Sequence, residues 1–475
     1  MANFSELYFA SIGEIGARLR AKEFSCVELT RAFSDRLELL GRRYNAVALS
    51  LREPAIRQAQ AVDGELKRGR TRGPLQGIPY GAKDLLAVKG GPTTWGARPF
   101  ASQVFDQNAR VIDKLNGAGA ILLAKLSMVE LAGGGDYRYA SASLTGPGLN
   151  PWDRTRWSGG SSSGSGAATA AGLVAFSLGS ETSGSILTPS AYCGVTGLRP
   201  TYGLVSRRGA MALSWTLDKI GPMCRSAEDC ALVLAAIAGG DSEDPGSAGR
   251  GFNYSPQFAR PPQEIRVGYA KVDFEEWPDA AARPEFQRAL EVVRSLGVQL
   301  KEVELPRFPY GALVGSIIAG EAGSIFEDLI RSGRVDQLAD QRQIAGLKAY
   351  LELPATEYLR AMRVRTLVQA AFRNLFLDVD VLLSPTRLNV ASRISEPLDA
   401  DRPGSAPKSP GFIGLIPAGN LCGWPAMALP CGFAQGLPVS ISLLGRPLYE
   451  NQLVALGRAF QRDTDWHRRH PPVEV

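Results

Sequence analysis

The stretch Arg156–Pro200 reads RWSGGSSSGSGAATAAGLVAFSLGSETSGSILTPSAYCGVTGLRP, and the rest of the chain is organised around it. Two serine-and-glycine turns, Gly159 to Gly166 and Gly179 to Ser185, flank a run of small apolar residues. Glycine admits backbone conformations that other residues resist, and a glycine-rich turn brings its N–H groups close to a ligand. A flexible Gly/Ser linker would run into polar sequence. This one runs into AATAAGLVAF, which predicts a buried helix whose small side chains permit close packing. A phosphate-binding loop needs a Gly-Lys-Ser/Thr ending, and no lysine occurs in the stretch. Two such turns around one helical segment point to a site.

Working outward, composition removes one class of mechanism. The chain has two histidines, His467 and His470, both in a terminal segment of Arg and Pro that reads as a solvated tail. Ser-His-Asp and Cys-His devices place an imidazole beside the nucleophile. A nucleophilic serine here would therefore use another base, and lysine is the known substitute.

Several segments then carry a family resemblance. GGSSSGSG followed by GSETSGSI and PSAYCGVTGLRPTYGLVS resembles the defining segment of the amidase signature hydrolases. GPLQGIPYGAKDLLAVKGGPTTWG is similar to that family's lysine-bearing segment. Further matches are KLSMVELAGG, NPWD, DKIGPMCRS, DVDVLLSPT and NLCGWPAMALPCGFAQGLPVSISLLGRP, so only about 240–350 is poorly matched. The resemblance implies a triad of Ser185 as nucleophile, Ser161 as bridging serine after a cis peptide bond, and Lys83 as base. It also implies an oxyanion hole from the amides of Thr182, Ser183, Gly184 and Ser185, with Ser162, Ser163 and Glu181 in support. The implied fold is α/β, a mixed, twisted central sheet covered on both faces by helices, in one domain over 1–475.

The chemistry is coherent on its own terms. A lysine holds its proton to about pH 10.4, so it accepts one near neutrality only when desolvated. Lys83 lies between the apolar flanks IPYGA and LLAV, which suits burial. A buried lysine otherwise reads as half of a salt bridge, and Asp84 is adjacent. Ser162 and Ser163 also suit helix capping. Three positions depart from the family's commoner Asp-x-Gly-Gly-Ser-Ile-Arg: the acidic residue is Glu181, Ser183 stands for the first glycine, and Leu187 replaces the arginine. A buried Glu181 then needs other hydrogen-bond donors or a changed pKa.

The remaining chain reads as an ordinary globular composition, 475 residues with 45% hydrophobic and 21% charged. The net charge of +6 comes from scattered basic residues without a stripe interleaved with aromatics, so no nucleic-acid partner is expected. No secretory leader or membrane-length apolar stretch is seen, and six sparse cysteines read as reduced thiols, so a cytoplasmic location is expected. No metal and no cofactor are expected.

Residues 4–45 predict two amphipathic helices, the second capped by Ser25. ARVIDKLNGAGA predicts a helix leading into the strand AILLAKL, which argues for an α/β sheet. SLTGPGLNPWDRTRWSGG and Asp218 to Met223 read as loops, and Ser226 opens a helix in capping-box fashion. EIRVGYA and VQLKEVEL read as strands around the helix EFQRALEVVRSLG, and 311–378 as mainly helical. The region 240–350 is expected to shape the substrate channel.

The sequence thus predicts an amidase that hydrolyses small aryl or alkyl amides through an acyl-enzyme, with esters and carbamates (urethanes) as further substrates. The alternative is the glutaminase (A) subunit of a tRNA-dependent amidotransferase. The expected partners are a small-molecule amide, ester or carbamate and a second copy in a homodimer, with no membrane.

Overall fold

Apolar runs of five to nine residues that are buried at every position require cover on both faces, and such runs form the centre of this molecule. The computed structural model describes residues 4–398, 411–412 and 414–472. In chain order the strands are Val47–Ser50 (β1), Pro79–Lys83 (β2), Ile121–Leu126 (β3), Leu149–Asn150 (β4), Asp153–Trp157 (β5), Phe176–Glu181 (β6) and Thr196–Arg199 (β7). They continue with Lys219–Cys224 (β8), Arg266–Tyr269 (β9), Gln299–Glu302 (β10), Val381–Pro385 (β11), Ala426–Ala434 (β12) and Leu437–Gly445 (β13). Among the described residues eleven of these form one mixed sheet, ordered β1-β3-β2-β6-β8-β7-β12-β13-β11-β9-β10. The order places β2 between β3 and β6, parallel to both, and β8 antiparallel to β6.

The helices cover this sheet as their patterning requires. Ile12–Arg20 and Cys26–Leu40 each start at a complete capping box, on Ser11 and on Ser25. Ser226 accepts the amide of Asp229 at the start of Ala227–Ile237, and the Asp229 carboxylate also takes the amide of Ile12, tying this helix to the first one. The strands and helices expected beyond 260 are present as β9, Arg283–Ser295, β10 and the long helix Ala355–Asp378. Among the described residues no helix is long and apolar enough to cross a membrane. All six cysteines are free and buried.

Five expectations need correction. The helix after the first serine turn spans only Ser163–Ala170, and Phe176 belongs to β6, where its ring stacks 5.1 Å from that of Tyr80 on β2. Gly179 to Glu181 are therefore strand, and the second turn is confined to the residues after Glu181. Asp218 to Met223, read as a loop, is mostly β8, because pairing with both β6 and β7 overrides the weak strand preference of Gly221 and Pro222. Part of the loop before the first serine turn forms the small β4–β5 sheet. The histidine tail is solvated only in part: Arg468, Arg469 and His470 are exposed, but His467 is 9% exposed, and burial pushes it down to about 4. His470 stacks on Phe9 with ring centroids 3.8 Å apart.

Candidate active site

Lys83 and Ser180 stand at the carboxyl ends of the adjacent parallel strands β2 and β6, where open α/β sheets place their ligands. The Lys83 side chain is fully buried. Its Nζ lies 2.7 Å from Ser161 Oγ, 2.9 Å from Ser180 Oγ and 3.4 Å from the Ser180 carbonyl. Burial pushes Lys83 down to about 7, against the opposing pull of Asp218 and Glu181. An amine at that value is shared between its proton-bearing and proton-accepting forms near neutrality.

Asp84, the adjacent carboxylate, is turned elsewhere. It pairs with Lys125 Nζ at 2.7 Å and accepts the amide of Thr94 at 3.0 Å. The salt-bridge reading of Lys83 is thereby corrected: the buried pair exists, but its lysine is Lys125.

The first serine turn brings Ser161 to Lys83. Gly160–Ser161 is a cis peptide, as expected. Gly159 has φ of +86°, and a Cβ there would fall 2.7 Å from Pro189 Cα, so this position admits glycine alone without rearrangement. The two turns are bonded to each other: Ser162 N donates to the Ser185 carbonyl at 3.3 Å, and Ser162 Oγ donates to the Ser180 carbonyl at 3.2 Å. Ser162 thus braces β6, and its hydroxyl does not cap the helix that begins at Ser163. The Ser163 carbonyl accepts from Ser158 Oγ at 3.2 Å.

The second turn, from Thr182 to Ser185, has a backbone free to receive a ligand. Among the described residues the amides of Ser183, Gly184 and Ser185 have no hydrogen-bond acceptor. Gly184 holds φ at +88°, which aims this run of amides without a side-chain penalty. Thr182 Oγ1 donates to Asp218 at 2.6 Å, and Asp218 also accepts from Leu213 N and Ser214 N. Ser185 is 9% exposed at the head of the short helix Leu187–Cys193.

Glu181 anchors this turn from beneath. Its carboxylate accepts the amides of Ile186 and Leu187 at 2.9 and 3.0 Å, Arg199 Nη1 at 2.8 Å and Asn420 Nδ2 at 2.9 Å. Burial works against its charge, yet the Arg199 guanidinium, with Asn420, holds it at about 2. The departure at 181 and 187 is thus accommodated: the cation comes from Arg199 on β7, and Leu187 is free to pack in an apolar cluster. Sequence reasoning missed Ser180, Arg199, Asp218 and Asn420. Each lies inside a quoted segment, but no spacing along the chain marks it as a partner.

Beside the turn lies a cavity of about 360 Å³, whose wall includes Ser183, Gly184, Thr188 and Tyr192 from the serine turn and its helix. Asp273, Arg387 and Phe412 close its far side. Of the region 240–350, only Asp273 and Trp277 reach this wall among the described residues. His467 lines a different cavity, with Arg225, next to the N-terminal helices.

The family model for amidase matches residues 28–454. Over 99% of its length the chain is 37% identical to the whole of the A subunit of glutamyl-tRNA(Gln) amidotransferase from Moorella thermoacetica (strain ATCC 39073 / JCM 9320). Among solved structures, the native peptide amidase of Stenotrophomonas maltophilia superimposes with a TM-score of 0.84 at 30% identity, over 99% of each chain. The A subunit of the glutamyl-tRNA(Gln) amidotransferase of Thermotoga maritima does so with 0.74 at 25% identity, over 99% of this chain and 98% of that one. The expectation of no nucleic-acid partner is overturned by these relatives, which are named for a tRNA. That expectation rested on the charge pattern of one chain, and scattered charge on one chain does not report what an assembly of several chains binds.

Proposed function

The chain belongs to the amidase signature family, and from that premise we propose that it cleaves amide C–N bonds through an acyl-enzyme on Ser185. The single observation that carries this reading is a buried Lys83 amine 2.7 Å from Ser161 Oγ, held near a pKa of about 7 by burial. Ser185 Oγ attacks the carbonyl carbon and passes its proton through Ser161 to Lys83. The oxygen of the tetrahedral intermediate is held by the amides of Thr182, Ser183, Gly184 and Ser185. The proton returns through Ser161 to the departing amine, and water repeats the sequence on the acyl-enzyme. Ser162 and Glu181 hold the two turns in register.

For the substrate, the curated relatives support glutamine, hydrolysed by this chain as the glutaminase component of a tRNA-dependent amidotransferase. A second reading, a free-standing cytoplasmic hydrolase of small aryl or alkyl amides, is favoured by the higher structural likeness to peptide amidase than to the Thermotoga maritima protein, 0.84 against 0.74. Esters and carbamates belong to this second reading, since attack on the carbonyl and collapse of the oxyanion are common to all three. In either case the chain acts as one domain, and the region 240–350 adds to the channel wall.

A rate panel on the purified chain separates the two: glutamine, an aryl anilide, an aliphatic amide, an aryl ester and an aryl carbamate, each with wild type and Ser185→Ala. Glutamine turnover alone, or silence until a second component is added, supports the amidotransferase reading. Anilide or carbamate turnover without glutamine supports the free-standing hydrolase. Turnover by Ser185→Ala sinks the nucleophile assignment.

A further inference from the structure

The cavity beside the serine turn has a feature that amide hydrolysis does not use. Arg387 follows β11 and lines the same wall as Ser183 and Gly184, and it is solvent-accessible there. Among the described residues no carboxylate forms an ion pair with it, although most other arginines on this chain are matched to acids or to carbonyls. Its neighbours are the phenols of Tyr192, whose oxygen accepts a hydrogen bond from it, and of Tyr137. Among the described residues the one acidic group on this wall is Asp273, which is turned to the backbone, with both oxygens on the Phe412 amide at 3.0 and 2.9 Å.

A guanidinium with no carboxylate partner among the described residues, in a cleft beside a run of free amides, is a receptor for an anion, and its planar fork suits a carboxylate. We propose that Arg387 is a specificity-determining residue that binds a carboxylate on the acyl part of the substrate, so that the preferred substrates are monoamides of short dicarboxylic acids. This rests on the acyl-enzyme reading and holds under either choice of amine. With the scissile carbonyl on the amides of Ser183 to Ser185, the acyl chain runs across the cavity and its distal carboxylate meets Arg387. The neutral wall supplied by Thr188, Ser384 and Thr386 leaves the guanidinium as the discriminating group.

The test uses the full chain with glutaramate, glutaramide as its uncharged counterpart, and glutarate as the product acid. Wild type is expected to prefer glutaramate to glutaramide by about tenfold or more in kcat/KM, mainly through KM, as a charge-assisted hydrogen bond at this site would give. Arg387→Gln collapses that ratio, and Arg387→Lys restores part of it. By calorimetry, glutarate binds Ser185→Ala and binds the Ser185→Ala/Arg387→Gln double variant about tenfold or more weakly. A ratio and a glutarate affinity that Arg387→Gln leaves unmoved, or no measurable glutarate binding to Ser185→Ala, overturns the subsite. Arg387-dependent glutarate binding with amide turnover persisting in Ser185→Ala would keep the subsite and reject the nucleophile, so the two failures are distinguishable.

Discussion

Lys83 and Lys125 are two fully buried lysines on neighbouring parallel strands, and only one of them has a carboxylate. Burial lowers the pKa of both, and Asp84 pulls Lys125 back toward its charged form. Lys125 therefore serves as the cation of a buried pair, with Thr93 Oγ1 as a further acceptor at 2.8 Å. Lys83 is surrounded by serine hydroxyls and carbonyl oxygen, which satisfy its hydrogen bonds without fixing its charge. The difference teaches that burial alone does not make a base. What matters is burial without a counter-ion, because an ion pair would restore the proton affinity that desolvation removes.

The comparison can be broken most directly at Lys83. Lys83→Met is expected to lower kcat by about 10⁴-fold, the scale on which members of a catalytic unit act, while thermal unfolding stays at or above that of wild type. A variant that unfolds while retaining specific activity in its folded fraction would make Lys83 the structural lysine. The converse change, Lys125→Met, leaves Asp84 buried and unpaired, and is expected to cost about 3 to 5 kcal/mol in urea unfolding. Combining it with Asp84→Asn should recover part of that loss, and additive losses would show that the pair is not the unit of stability.

A pH profile sharpens the same contrast. The lowered pKa of Lys83 means that the proton-accepting form is available above about 7 and is lost below it. The acid limb of kcat should therefore bend near that value and fall about tenfold for each unit below it. A bend in the ordinary carboxylate range would name a different base. The smallest effect is expected at Ser180→Ala, which removes one of the Lys83 contacts at 2.9 Å. The loss is about 1 kcal/mol, under tenfold in kcat, with folding retained.

Much of the site was legible because it is written in local, repetitive chemistry. Serine and glycine turns, the missing imidazole and a lysine in an apolar run are each visible within a dozen residues. The cap at Ser25 and the strand Ile121–Leu126 were readable for the same reason. What failed were boundaries where a tertiary partner overrides a local preference, as where Phe176 leaves the helix pattern to stack on Tyr80. The buried His467 failed likewise, since a charged flank says nothing about the helices packed over it.

By itself, then, the sequence determined the α/β class, the segment that carries the nucleophile and the need for a base other than histidine. Each follows from side-chain identity and short-range pattern. Only the tertiary structure decided which lysine receives Asp84, that Arg199 and Asn420 neutralise and hold Glu181, and that Arg387 faces the same cavity as the free amides of Ser183 and Gly184. Asn420 and Glu181 are 239 positions apart. Electrostatic partnership at that separation is set by how strands and helices close on one another, and no periodicity along the chain encodes it.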